Sequence, residues 1–169
     1  PVLDSMFAVE PATVLYLDYE ASADEIYGRL RDIYTGLDFP DNIGSNFLYR
    51  YCAQPLSAEV EELQRIIAVK QVELLIIDSL GLACGGEPEK SEFVLPYFMA
   101  LRALRTTSLT IHHQNKEGGL YGSVYIFNMA RNIWEIRSTF DTNTATLHAG
   151  LFNRKSNNKA LHAPFGLDV

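Results

Sequence analysis

No apolar run in this 169-residue sequence reaches the roughly 18 to 20 residues that a bilayer-crossing helix needs, and no basic-then-apolar leader opens it. A membrane-spanning protein is therefore not expected. Cysteine is scarce. Cys52 and Cys84 lie far apart, which excludes a disulfide framework. The four histidines make no metal-ligand spacing with them, so a zinc site is not expected either. A reduced, cytoplasmic chain with two buried or half-buried thiols fits this usage. Positive charge is also short, with 14 basic against 21 acidic residues and a net charge of -7. That argues against a broad basic face for duplex DNA. One stretch runs the other way. Thr142 to Leu167 holds no acid, while Arg154, Lys155 and Lys159 cluster within it. This is either a local basic site or a solvated strand end.

What the sequence does have is alternation between apolar strands and amphipathic helices. Val14-Leu15-Tyr16-Leu17 is an apolar run closed by Asp18-Tyr19-Glu20, the pattern of a buried parallel strand. Ser22 and Glu25 then form a capping box, and Ile26, Leu30 and Ile33 mark one face of the helix that follows. Gly36 to Gly44 reads as a loop and Asn46 to Cys52 as a short strand. A second helix is expected from about Ala58 to Lys70, with Ser57 as its N-cap.

Glu73-Leu74-Leu75-Ile76-Ile77-Asp78-Ser79 is the clearest strand. Cys84 to Ser91, rich in glycine and charge, is expected to be mobile. A helix over Phe93 to Arg105 carries Pro96 in its first turn or at a kink, and Ser108 to His113 is a further strand. Gln114 to Tyr121 reads as a polar loop. Three more strands, Asn132 to Arg137, Thr144 to Phe152 and Ala160 to Val169, follow with no helix between them. The expectation is an α/β fold: a mostly parallel twisted sheet flanked by helices, with an antiparallel C-terminal extension. The length suits one domain. Pro1 opens on a stretch that reads as mid-domain, so residues 1–169 are expected to be a single, N-terminally incomplete domain.

Open α/β sheets bind ligands beyond the carboxyl ends of their parallel strands. Here three strand ends carry polar groups: Asp18 and Glu20, Asp78 and Ser79, His113 and Gln114. Any one such pair is an ordinary turn or cap. Three, each after an apolar strand and separated by helices, predict one common rim. An acid there can hold magnesium, a second can orient water, and a polar third can sense a phosphate. Asp78, Glu20, and His113 or Gln114 suit these roles in turn.

Leu15 to Glu20 resembles the strand of the RecA and hexameric-helicase superfamily that ends in the catalytic glutamate. Leu74 to Ser79 is similar to its Walker B strand. Thr110-Ile111-His112-His113-Gln114-Asn115-Lys116 resembles a segment of the replicative-helicase branch, which includes plasmid replication helicases. Tyr121 to Val124 and Ala130 to Trp134 resemble the stretch after it, and Asn153 to Asn158 resembles a hairpin near the end of that core. The resemblance implies a RecA-like core in which Glu20 is the catalytic base, and Asp78 is the metal-holding acid, with Ser79 beside it. It places His113, or its neighbour His112, at the phosphate-sensing position near Gln114. Lys155 would reach a neighbouring subunit's nucleotide, and Arg131 would hold a family position or simply the turn between strands. It further implies ATP and Mg2+ as cofactors, assembly into a homo-oligomer, and single-stranded DNA as partner of the intact parent.

The phosphate-binding pattern G-x-x-x-x-G-K-[ST], whose backbone N–H groups cradle phosphates, does not occur in these 169 residues. The nearest stretch, Gly85 to Ser91, has no glycine before Lys90 and carries Pro88, Glu87 and Glu89, all hostile to phosphate. The chain is therefore expected not to hydrolyse ATP alone and to bind no cofactor by itself. Loss of the phosphate-loop strand and helix is expected to expose apolar sheet surface. Two other readings stand beside the ATPase core: a non-catalytic relative that assembles with itself or a protein partner, and an unrelated α/β enzyme using the acids as metal ligands.

Overall fold

The computed structural model describes residues 10–36, 44–115 and 118–168. Four strands, β1 (Val14–Asp18), β2 (Phe47–Tyr51), β3 (Leu74–Asp78) and β4 (Thr107–Thr110), form a parallel sheet in the order β2-β1-β3-β4. Each is a short apolar run, and the crossovers between them hold helices, as parallel pairing requires. Leu15, Leu17, Leu75 and Ile77 point to one face and are fully buried with Leu56, Leu63, Val94 and Tyr97. Each such side chain contributes about 1.5–3 kcal/mol by leaving water. The opposite face carries Tyr16, Tyr49 and Ile76 in register. There the first helix, α1 (Ala23–Gly36), sets Tyr27 against Tyr49, with ring centroids 6.0 Å apart.

The capping box at α1 forms as the sequence predicts: Ser22 N donates to Glu25 Oε2 at 3.1 Å and Glu25 N to Ser22 Oγ at 3.4 Å. Its expected apolar face is narrower. Ile26 is buried but Ile33 is exposed. The loop expected at 36–44 lies mostly outside the described residues. The second helix, α2 (Val60–Lys70), follows a 3-10 turn at Leu56–Ala58. Ser57 is inside that turn and Glu59 takes the cap position without a side-chain bond, so Ser57 is not the N-cap.

The segment after β3 corrects another expectation. A short helix, α3 (Leu80–Ala83), leads into Gly85 and Gly86, which are packed closely. A Cβ at Gly85 would overlap Pro55, and one at Gly86 the Phe93 ring. Pro88 is buried, and its carbonyl accepts from Ser123 N at 2.7 Å. The stretch expected to be mobile is thus pinned on both sides. The next helix, α4 (Ser91–Leu104), keeps Pro96 inside it.

No gap opens between β3 and β4. They pair directly, Leu74 with Thr107 through Ile77 with Thr110. The apolar exposure that was expected survives at the edge, where Leu109 and Ile111 face solvent. A short helix absent from the sequence reading, α5 (Val124–Met129), follows, with Ser123 Oγ accepting from Tyr125 N. Then β5 (Asn132–Asp141), β6 (Thr146–Ser156) and β7 (Phe165–Asp168) form a separate antiparallel sheet, as the C-terminal pattern predicts. A bulge sits between Ile133 and Trp134.

Candidate functional site

Strands β1 and β3 end side by side, Asp18 opposite Asp78. Asp18 is fully buried, and its carboxylate is satisfied there. Oδ1 accepts the backbone N–H of Glu20 at 2.9 Å and of Ala21 at 2.8 Å, and Oδ2 accepts the Tyr49 hydroxyl at 3.0 Å. A carboxylate bonding the amide two residues on is the standard way an aspartate turns a chain. The turn carries Glu20 across to β3, where the Ser79 hydroxyl donates to Glu20 Oε1. The same oxygen lies 3.3 Å from His113 Nε2.

Backbone pairing brings His113 there. Ile111 N donates to Ile77 O at 2.9 Å and Leu80 N to Ile111 O at 3.0 Å, which extends the β3–β4 alignment past the end of β4. Glu20, Ser79 and His113 thus meet on one rim, from three successive strand ends. The Glu20 carboxyl is held below the usual carboxylate range. The Ser79 hydroxyl is the main cause, His113 adds to it, and together they outweigh the upward push of burial. The Glu20 carboxyl is therefore ionised at neutral pH.

The neighbouring histidine has a different environment. His112 Nε2 lies 2.5 Å from the Tyr121 carbonyl, its ring stacks on that of Tyr121 at 6.2 Å, and burial pushes its pKa down. The two histidines are split between rim and backbone, as adjacent extended residues must be. Gly81, His112, His113, Gln114, Asn115 and Tyr121 line an open cleft of about 390 Å³ beside Glu20.

Asp78 sits at the same strand end, but its carboxylate is engaged elsewhere. Its Oδ2 accepts the Tyr16 hydroxyl at 2.6 Å. Burial, and then this bond, push the Tyr16 phenol well above its ordinary pKa. Tyr16 and Tyr49 were not singled out from the sequence. Their signal is a hydroxyl-bearing ring within an otherwise apolar strand, which needs a buried acceptor.

Gln114 lines the cleft, and its amide donates to Glu135 Oε1 at 3.1 Å. Lys155 and Arg131 are not brought to the rim. Lys155 Nζ donates to the carbonyls of Phe127 at 2.6 Å and Asn128 at 3.0 Å, capping the end of α5. Arg131 lies in the turn between α5 and β5, where its carbonyl accepts from Asn157 N at 3.0 Å.

A magnesium triphosphate does not fit the described residues of this chain. Among the described residues no lysine or arginine lines the cleft, and one oxygen of Asp78 accepts a phenol. Lys90 pairs with Glu87 at 3.1 Å within the closely packed Gly85–Ser91 stretch. Among the described residues no group of three or more histidines, cysteines, aspartates or glutamates is placed to hold a metal ion.

A family model described as AAA domain matches residues 1–119. The match takes in all four parallel strands and ends before α5 and the antiparallel sheet. Among solved structures, a KaiC-like protein from the hyperthermophilic archaeon Pyrococcus horikoshii OT3 aligns with a TM-score of 0.62 at 14% identity, over 92% of this chain and 70% of that one. A likeness at that identity shows the fold, which is the RecA-like α/β architecture expected from the sequence. No curated protein gave a match.

Proposed function

Since the chain belongs to the AAA domain family and has a RecA-like ATPase fold, we propose that it is the acid-bearing part of an ATP-hydrolysing core that does not hydrolyse ATP by itself. The observation that carries this reading is the Glu20 carboxylate. It is kept ionised at the carboxyl rim of a parallel sheet, with Ser79 and His113 bonded to the same oxygen. A charged base at that place can take a proton from water. The described residues supply no phosphate cradle, so the other half of the reaction has no support within them.

In this reading Glu20 is the base, Ser79 and His113 hold it, and Gln114 lines the approach. Asp78 would be the metal-holding acid through the oxygen that does not accept the Tyr16 hydroxyl. Magnesium with ATP is the cofactor set of the intact core. The replicative-helicase relationship, and with it single-stranded DNA as partner, is supported by the order of the sequence blocks from Leu15 to Asn158. Lys155 would serve a neighbouring nucleotide only by leaving the α5 carbonyls.

The test is phosphate release from ATP and magnesium by the purified chain. Turnover indistinguishable from that of Glu20→Gln is expected. Clear turnover that Glu20→Gln abolishes would show that these residues form a complete active site.

A second reading, a non-catalytic module, is favoured by the bond between Asp78 and Tyr16, which occupies the acid in an interaction within the fold. Magnesium-dependent binding of a fluorescent ATP analogue would rule the module out.

A further inference from the structure

The antiparallel sheet has two unlike faces. On one, Glu135 takes Arg137 at 2.7 Å and Arg154 at 2.5 Å, both guanidinium groups lie over the Phe152 ring, and His148 pairs with Asp168 at 2.7 Å. This face also meets the parallel body through the bond from Gln114 to Glu135. The other face follows from the strand register. Trp134, Ile136 and Phe140 of β5 alternate onto it, opposite Asn153, Leu151 and Leu147 of β6, and Phe165 of β7 joins them. Every position of that face from Trp134 to Phe140, with its partners on β6 and β7, is uncharged.

His162 packs on Trp134 and Phe165 at one end of it, with ring centroids 5.7 and 6.0 Å away, and among the described residues the rest stays open. Ile136 is 62% exposed, Phe140 58%, Trp134 39% and Leu147 36%. An antiparallel sheet ordinarily turns its apolar face to a core and its polar face to water. Here the charged face bonds to the body, and Ile136, Phe140 and Leu147 of the apolar face are left in solvent. With large side chains of about 150–250 Å² each, the open apolar surface is roughly 400 Å². That is within the range of the largest patches found on monomers. It supplies most of the apolar area of one side of a standard interface, about 800 Å² per partner of which some 60% is apolar.

We propose that this face is the interface of a homodimer, in which the β5–β7 sheets of two copies pack face to face. Two apolar sheet faces about 10 Å apart make a stable sandwich. A twofold axis lets one uncharged surface supply both halves. In a chain with a net charge of -7, docking through a face without charge also keeps the acids of the two copies apart. The nearby guanidinium groups, Arg137 and Arg154, point to the opposite face and are bound by Glu135. This leaves the apolar face without the phosphate contacts a nucleic-acid strand would use. The pairing does not depend on the chemistry at the Glu20 rim.

Sedimentation equilibrium of the whole chain tests it. A mass about twice the 19.0 kDa of one chain is expected, falling to one chain on dilution. Ile136→Asp with Phe140→Asp should weaken association by more than about tenfold. Thr139→Asp, which places a charge on the opposite face of the same strand, should leave it unchanged. Phe140→Ser is a milder change that separates loss of pairing from loss of fold, both judged by thermal melting monitored by circular dichroism. A wild-type chain that stays single at roughly 100 µM, where even weak dimers form, overturns the proposal. So does a dimer that survives the aspartates, or one that Leu109→Asp at the β4 edge dissolves instead. Quenching of Trp134 fluorescence by oligo-deoxythymidine in a single-chain species would assign the face to nucleic acid and overturn it as well.

Discussion

The two sheets of this molecule are held by different forces. The parallel strands are four or five residues long, yet they bury Leu15, Leu17, Leu75 and Ile77 completely. The main antiparallel strands run ten and eleven residues, twice that length, and the one buried side chain in that sheet is polar. It is Asn153. Its amide nitrogen lies 2.8 Å from Asn132 Oδ1 and 3.1 Å from the carbonyls of Ile133 and Lys155, and its oxygen accepts from His162 N at 3.1 Å. These bonds span the bulge, where the ladder itself is interrupted. One sheet is stabilised by removing apolar surface from water, the other by its hydrogen-bond ladder and a few polar ties. A rigid sheet suits a site that must hold three side chains within hydrogen-bond reach. An open sheet suits a surface that meets another molecule.

Three changes probe that contrast. The largest effect is expected in the parallel core, where Leu75→Ala removes methyl groups from a site the chain cannot refill. Urea unfolding should show a loss of about 3 kcal/mol. Ile136→Ala, measured where the chain is single, should cost under about 0.5 kcal/mol. Equal losses would show that the antiparallel sheet has a core of its own. Asn153→Ala should come next, at about 1–2 kcal/mol, since it leaves the half-buried carbonyls of Ile133 and Lys155 without this donor. Faster amide exchange at Ile133, Lys155 and His162, with none in β1 or β3, is the matching readout.

The smallest effect concerns acid. Arg137 first, then Arg154, hold the Glu135 carboxyl at about 2. A carboxylate depressed on folding adds stability above its unfolded pKa, and that contribution is lost as pH falls through the folded value. The stabilisation from Glu135 should therefore be intact at neutral pH and decline between about pH 4.5 and 2. Glu135→Gln should flatten that part of the stability profile. An unchanged acid limb would mean that these ion pairs contribute nothing to folding.

Much of the parallel body is legible in the sequence, because each of its elements is written locally. An aliphatic run closed by an acid, as in Leu74 to Asp78, specifies a buried strand with a polar end. The Ser22–Glu25 pair marks a helix start through bonds three residues apart. Elsewhere the local signal was too small or misleading. Six residues of α5 are too few for a helical period to show, and Ser57 looks like a cap but falls within a 3-10 turn. Gly85 and Gly86 suggest motion by composition, while Pro55 from an earlier segment and Phe93 from the helix that follows pack against them.

The candidate site divides along the same line. Strand order and apolar spacing were enough to place Glu20, Ser79 and His113 at one end of a parallel sheet, because short strands with helical crossovers all end on the same side. Which groups touch was settled by tertiary structure. Ser79 reaches Glu20 across 59 residues of sequence and His113 across 93. The choice between His112 and His113, the capture of Asp78 by Tyr16, and the placement of Lys155 on α5 rather than at the rim all depend on such distant neighbours. Local bonding is encoded within a turn or two of chain, whereas a side chain's partner across the sheet exists only once the strands have paired.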